Sequence, residues 1–197
     1  MDNEKTWDDR LQIQTIGRDA SGSDEYRYPY EPTPYAVLAR LADSGLIHPG
    51  DVLLDYGCGK GRVDFFLAHR TGAATIGIEY DARIYQAALD NQKRALSPAS
   101  FVLTRAESYD VPTNVNRFYF FNPFSAEILH KAMARILESY YACPREMFLF
   151  FYYPSDEYIS YLMTVDELDF YDEIECDDLF PKKDPRERIL IFSLPGV

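Results

Sequence analysis

Asp55, Gly57, Gly59, Gly61 and Glu79 are of the types, and at the spacing, that hold a small ligand by its polar groups. They belong to the run Leu53-Leu54-Asp55-Tyr56-Gly57-Cys58-Gly59-Lys60-Gly61-Arg62, which leaves an apolar strand and enters a helix. Glycines let the main chain turn sharply and let a ligand approach it, while the helix offers its first N–H groups. The pattern is Gly-x-Gly-x-Gly, and Arg62 stands where a dinucleotide-binding fold places its third glycine. A carboxylate at Asp55 sits poorly beside a pyrophosphate but suits a cationic ligand, such as an amino-acid ammonium or a sulfonium. Glu79 follows the loop by about twenty residues at the tip of a second strand, where an acid can accept from both ribose hydroxyls of an adenosine. Such charge-assisted bonds are worth roughly 1.5–3 kcal/mol each. Tyr80, next along, is placed to flank the adenine.

Other groups qualify less sharply. Phe120-Phe121-Asn122-Pro123-Phe124 ends a later strand and reads either as an acceptor-positioning turn or as a tight turn with Ser125 as helix N-cap. Tyr30-Glu31-Pro32-Thr33-Pro34-Tyr35 is held extended by its prolines, with Tyr30 and Thr33 as candidate lid contacts; a plain packing strap is the other reading. Tyr152-Tyr153-Pro154 closes a strand on the edge where open α/β sheets bind substrates. Cys58 reads as a small filler of the loop. Cys58, Cys143 and Cys176, like His48, His69 and His130, are too scattered for zinc spacing or a disulfide framework, so no metal is expected.

The elements that must carry these groups alternate. Strands are expected at Val52–Tyr56, Thr75–Tyr80, Phe101–Thr104, Arg117–Asn122 and Met147–Tyr153, with helices at Arg62–Arg70, Ala82–Leu96 and Ser125–Tyr141. In the last of these helices Ile128, Leu129, Ala132, Met133, Ile136, Leu137 and Tyr140 form one stripe. A further helix with Val37, Leu38 and Leu41 buried precedes the first strand, and Trp7, Leu11, Ile13 and Ile16 form a short docking element. Helix-separated strands imply right-handed βαβ units and a parallel sheet covered on both faces. Phe170–Cys176 and Arg188–Leu194 are strands too close for a helical crossover, so they form an antiparallel hairpin. The expected fold is therefore α/β and doubly wound, a mostly parallel seven-stranded sheet ending in that hairpin. Residues 17–25 read as a flexible polar stretch.

Size and charge bound the function. The 197 residues, 47% hydrophobic, are enough for one domain with a substantial core and exclude a disordered chain. No apolar run reaches the about 20 residues that cross a bilayer, and the acidic start Met1-Asp2-Asn3-Glu4 is unlike a signal peptide, which points to a cytoplasmic protein. A net charge of −12 argues against a nucleic-acid partner, whose phosphates call for a basic face, and towards a small molecule or a protein substrate. Acidic residues from Asp166 to Asp178 read as a solvated face.

From about Tyr30 to its end the chain resembles the class I S-adenosylmethionine-dependent methyltransferases. Asp55-Tyr56-Gly57-Cys58-Gly59-Lys60-Gly61 is similar to that family's first motif and Glu79 to its second. The resemblance implies that S-adenosylmethionine is the cofactor, its methionine end held by Asp55 and the backbone of Gly57, Cys58, Gly59 and Gly61, its ribose by Glu79. It implies a third-motif acid near the adenine, with Ala106-Glu107 the better match and Asp110 the alternative. Asn122-Pro123-Phe124 resembles the Asn-Pro-Pro-Tyr/Phe motif of enzymes that methylate amide or amino nitrogens, with one proline fewer. On this reading residues 1–34 are an extension and candidate lid, and residues 35–197 the methyltransferase domain. Methyl transfer to nitrogen or oxygen, a non-catalytic S-adenosylmethionine-binding or scaffold domain, and a nicotinamide-dependent oxidoreductase remain as functions. Arg62 counts against the last.

Overall fold

A computed structural model describes residues 2–19, 26–95 and 98–196. Part of the expected flexible stretch, residues 20–25, and Leu96, the expected end of one helix, lie outside the described residues. The elements in chain order are α1 (Asp2–Leu11), α2 (Tyr35–Asp43), β1 (Val52–Tyr56), α3 (Arg62–Thr71), β2 (Ala74–Glu79), α4 (Ala82–Gln92), β3 (Ala99–Leu103), β4 (Arg117–Phe120), α5 (Ala126–Ala142), β5 (Met147–Tyr152), α6 (Asp156–Leu162), β6 (Asp169–Glu175) and β7 (Arg188–Leu194).

The strands form one seven-stranded sheet in the order β3-β2-β1-β4-β5-β7-β6. The first five pair in parallel, while β7 runs antiparallel to both β5 and β6. This is the expected doubly wound sheet with its terminal hairpin, β7 having inserted between β5 and β6. Strand order reverses between β1 and β4, so their carboxyl ends open a crevice there.

Burial on both faces explains the unbroken apolar runs in β4 and β5. Tyr119, Phe148, Phe150 and Tyr152 point to one face, packed with α2, α3 and the N-terminal residues Leu11 and Ile13. Phe118, Phe120, Met147, Leu149 and Phe151 point to the other, beneath the Ile128–Ile136 stripe of α5.

Two elements depart from the sequence expectation. Helix α4 ends at Gln92, short of Leu96, where the Arg94 N–H turns to the Asn91 carbonyl three residues back, tightening the last turn. Helix α6 was not anticipated: its seven residues are too few to show a period, and it starts where Ser155 accepts from the Tyr158 N–H. Ser125 stands at the N-cap of α5 as expected, yet its side chain makes no capping bond.

Candidate functional site

The loop after β1 is folded by its own main chain. Gly57 and Cys58 both donate to the Ile78 carbonyl at 3.0 Å, pulling the turn against the tip of β2. Gly57 and Gly59 hold φ of +76° and +58°, which side-chain-bearing residues adopt at a cost. Space demands glycine as well: a Cβ on Gly57 would lie 2.6 Å from the Cβ of Pro123, and one on Gly59 2.2 Å from the ring of Tyr30. Those contacts show what converges here. The glycine loop, the Asn122-Pro123-Phe124 turn after β4 and the strap at Tyr30 meet over the crevice between β1 and β4. Cys58 is buried against Gly77, and burial pushes its thiol well above the ordinary range, in keeping with a filler.

Glu79 is the polar hub of the adjoining strand tip. One carboxylate oxygen accepts from the Gly59 N–H at 3.1 Å, the other from the N–H groups of Tyr80 and Asp81 at 2.8 Å each. Burial raises its pKa, and the three donors oppose that rise. Asp55 lies beneath the loop and is 3% exposed. Its neighbour is Asp64 of α3, fully buried, and one oxygen of Asp55 and both of Asp64 have no other hydrogen-bond partner. Burial raises both acids, Asp55 to about 7, and the charge of Asp55 pushes Asp64 further up. The sequence gives no warning of Asp64, which sits in a helix without any local pattern.

The end of the crevice beyond Glu79 is assembled from three segments. Ala106 and Glu107 line it, Glu107 pairs with Arg27 at 3.0 Å, and the Arg27 guanidinium lies 4.7 Å from the centre of the Tyr80 ring. Asp110 is outside: its side chain is 93% exposed and faces Arg135. Arg27 was missed by sequence reasoning because nothing in the strap's composition distinguishes one arginine.

Residues 26–33 form the roof. Tyr28 donates to the Pro123 carbonyl at 3.3 Å, Ser125 to the Tyr26 carbonyl at 2.8 Å, and Tyr30 exchanges two main-chain bonds with Asp19. The Tyr30 hydroxyl reaches the Thr15 carbonyl at 2.6 Å, and Thr33 bonds the buried Tyr119 hydroxyl at 3.0 Å. About 90 Å³ of open space remains beneath the roof.

Arg62 holds this roof down. Its buried guanidinium donates to the Thr15 hydroxyl at 2.7 Å, the Thr33 carbonyl at 3.1 Å and Glu4, stands 3.8 Å from Asp8 and packs over the Tyr35 ring. The residue in the third-glycine position therefore bolts the N-terminal segment onto the domain.

The Asn122 turn is tightly braced. Asn122 has φ +39°, its amide donates to the Tyr153 carbonyl at 2.5 Å, and its amide oxygen accepts from the Ser155 N–H at 3.3 Å. Phe124 touches the crevice floor but is buried edge-on to Tyr56 and Phe120. Among the described residues no three His, Cys, Asp or Glu side chains converge as metal ligands, and no helix is long and apolar enough to cross a membrane.

No family model matches the chain, and no curated protein matches it in sequence. Solved structures do. An RNA methyltransferase from Salinibacter ruber, in complex with S-adenosyl-L-homocysteine, is 20% identical, with a TM-score of 0.56 over 85% of this chain and 95% of that one. A TehB-like SAM-dependent methyltransferase from Corynebacterium glutamicum is 19% identical, with a TM-score of 0.59 over 98% and 97%. The tRNA (uracil-54, C5)-methyltransferase of Pyrococcus abyssi, also with S-adenosyl-L-homocysteine, is 15% identical, with a TM-score of 0.63 over 92% of this chain and 45% of that one. The chain thus has the class I, Rossmann-like fold of these methyltransferases.

Proposed function

We propose that this protein is an S-adenosylmethionine-dependent methyltransferase acting in the cytoplasm on a small molecule or a protein side chain. One observation carries the reading: at the β1/β4 switch point a glycine turn, the buried carboxyl of Asp55 and the strand-tip Glu79 converge on one crevice. The donor set fits the cofactor. Asp55 would face its ammonium or sulfonium, the loop backbone its carboxylate, and Glu79, which has acceptor capacity beyond its three N–H bonds, its ribose. Arg27, Tyr80 and Glu107 would enclose the adenine. When bound, the cofactor supplies a methyl group on a positively charged sulfur, already activated for in-line displacement. The residues of this chain then have to align and exclude water, and alignment alone can supply about 7–11 kcal/mol of such a barrier. The roof is suited to the second task.

A net charge of −12 supports an acceptor other than nucleic acid, although structures of the same fold include RNA methyltransferases. The test has two parts. S-adenosylhomocysteine is expected to raise the melting temperature where NAD does not, and Glu79→Gln is expected to weaken its binding at least about tenfold, the loss of one charge-assisted bond. A labelled methyl group should then pass to a component of fractionated lysate. Stabilisation by NAD alone would overturn the reading, and cofactor binding without any labelled product would favour a scaffold role.

A further inference from the structure

Beyond the strap, on the β5 side of the Asn122 turn, lies a second hollow of about 460 Å³. It shares Tyr28, Glu31, Phe121 and Asn122 with the first crevice, so the two hollows adjoin across the strap and the Asn122 turn. The size is that of a small-molecule site, typically about 300–1,000 Å³. Its walls combine two chemistries. Tyr28, Phe121, Tyr153 and Phe180 contribute aromatic surface, with Phe121 held by Tyr152 at 4.7 Å between ring centres. Glu31 and Glu187 contribute carboxylates, and the buried Tyr152 hydroxyl donates to Glu187 at 2.5 Å, fixing its side chain.

Among the described residues that line the hollow, Arg18 is the one basic side chain, and Glu31 faces it at 3.8 Å, so the carboxylates of Glu31 and Glu187 outnumber it. Tyr153 already carries a cation on its ring, the Arg186 guanidinium at 4.5 Å, so these walls do accept positive charge. Aromatic faces and carboxylates around one cavity select a cation; a phosphate or carboxylate ligand would meet repulsion.

We propose, on the methyltransferase reading above, that this hollow receives the methyl acceptor and that the acceptor is a small organic amine, presented as its cation. Glu187 and Glu31 recognise the charge, and the aromatic walls cover the organic part. An ammonium nitrogen has no lone pair, so its proton passes first to the Glu187 carboxylate. The freed pair then forms the N–C bond as the C–S bond of the sulfonium breaks, the sulfur keeping that bond's electrons. The products are the methylated amine and a thioether, and the proton on Glu187 leaves to water.

The full chain, saturated with S-adenosylhomocysteine, would be titrated calorimetrically with phenethylamine and agmatine, with 2-phenylethanol and 3-phenylpropionate as neutral and anionic controls. At least one amine should bind, neither control should, and Glu187→Gln should weaken the amine about tenfold or more with S-adenosylhomocysteine affinity retained. Glu31→Gln, on the exposed strap, gives the same reading should Glu187→Gln misfold. No amine binding, or equal binding of either control, overturns the proposal. A lysine-containing peptide or an oligoribonucleotide binding tenfold tighter than the amines overturns it in favour of that macromolecule. Failure of S-adenosylhomocysteine itself to bind is a separate result, and it removes the methyltransferase reading instead.

Discussion

Asp55 and Asp64 are two acids in a space that tolerates about one negative charge, which makes the site sensitive to pH. Both folded-state pKa values are raised, Asp55 to about 7 from 3.8. A raised carboxyl stabilises the fold at low pH, and that contribution is lost as pH climbs through the folded value. The melting temperature is therefore expected to fall between about pH 4 and pH 7, and Asp64→Asn, which keeps a donor without a titrating group, should flatten the decline. Parallel slopes for the two proteins would contradict a shared proton. Asp55 and Glu79 were legible in the sequence because glycine spacing and a strand end locate them. Asp64 and Arg27 were not, since Arg27 takes its role from Glu107 eighty residues on, and Asp64 meets Asp55 only because α3 packs back against β1.

At the scale of elements, the N-terminal segment and the strap belong to the site they cover. Arg62 ties Glu4, Asp8, Thr15 and Thr33 to the first turn of α3, and Asp8 in turn accepts from Thr15 and Tyr35. Removing one partner of a buried ion pair strands the other, at a cost of about 3–5 kcal/mol. Arg62→Met should lose about that much in urea unfolding, and hydrogen exchange should quicken at Tyr30 and Thr33 ahead of β1. Unchanged exchange there would mean that the strap is held without Arg62. The composition did mark Arg62 as out of place for a dinucleotide fold, but only tertiary packing shows what it grips. The strap leaves about 90 Å³ open beneath the roof. The periodic elements were read well from sequence, whereas α6 and the end of α4 depend on single caps and side-chain bonds that leave no repeat.

Across the whole molecule, the parallel half of the sheet builds the crevice and the antiparallel half walls the second hollow. That division follows from β7 returning between β5 and β6, which carries Glu187 to the tip of β5. The same return leaves β6 as the outermost strand, with Phe170 and Tyr171 half exposed. Such a border invites a neighbouring chain to add itself as a further strand. Here it is interrupted by an irregularity between Phe170 and Asp172 and studded with Asp169, Asp172, Glu173 and Glu175. Mutual repulsion of these carboxylates keeps copies apart. Light scattering should accordingly rise as added salt screens these charges, and Asp172→Ser with Glu173→Ser should lower the salt concentration at which it rises. Salt, on this view, turns a guarded rim into an adhesive one, so the protein's shelf life in solution is set at the border of the sheet and not in its central crevice.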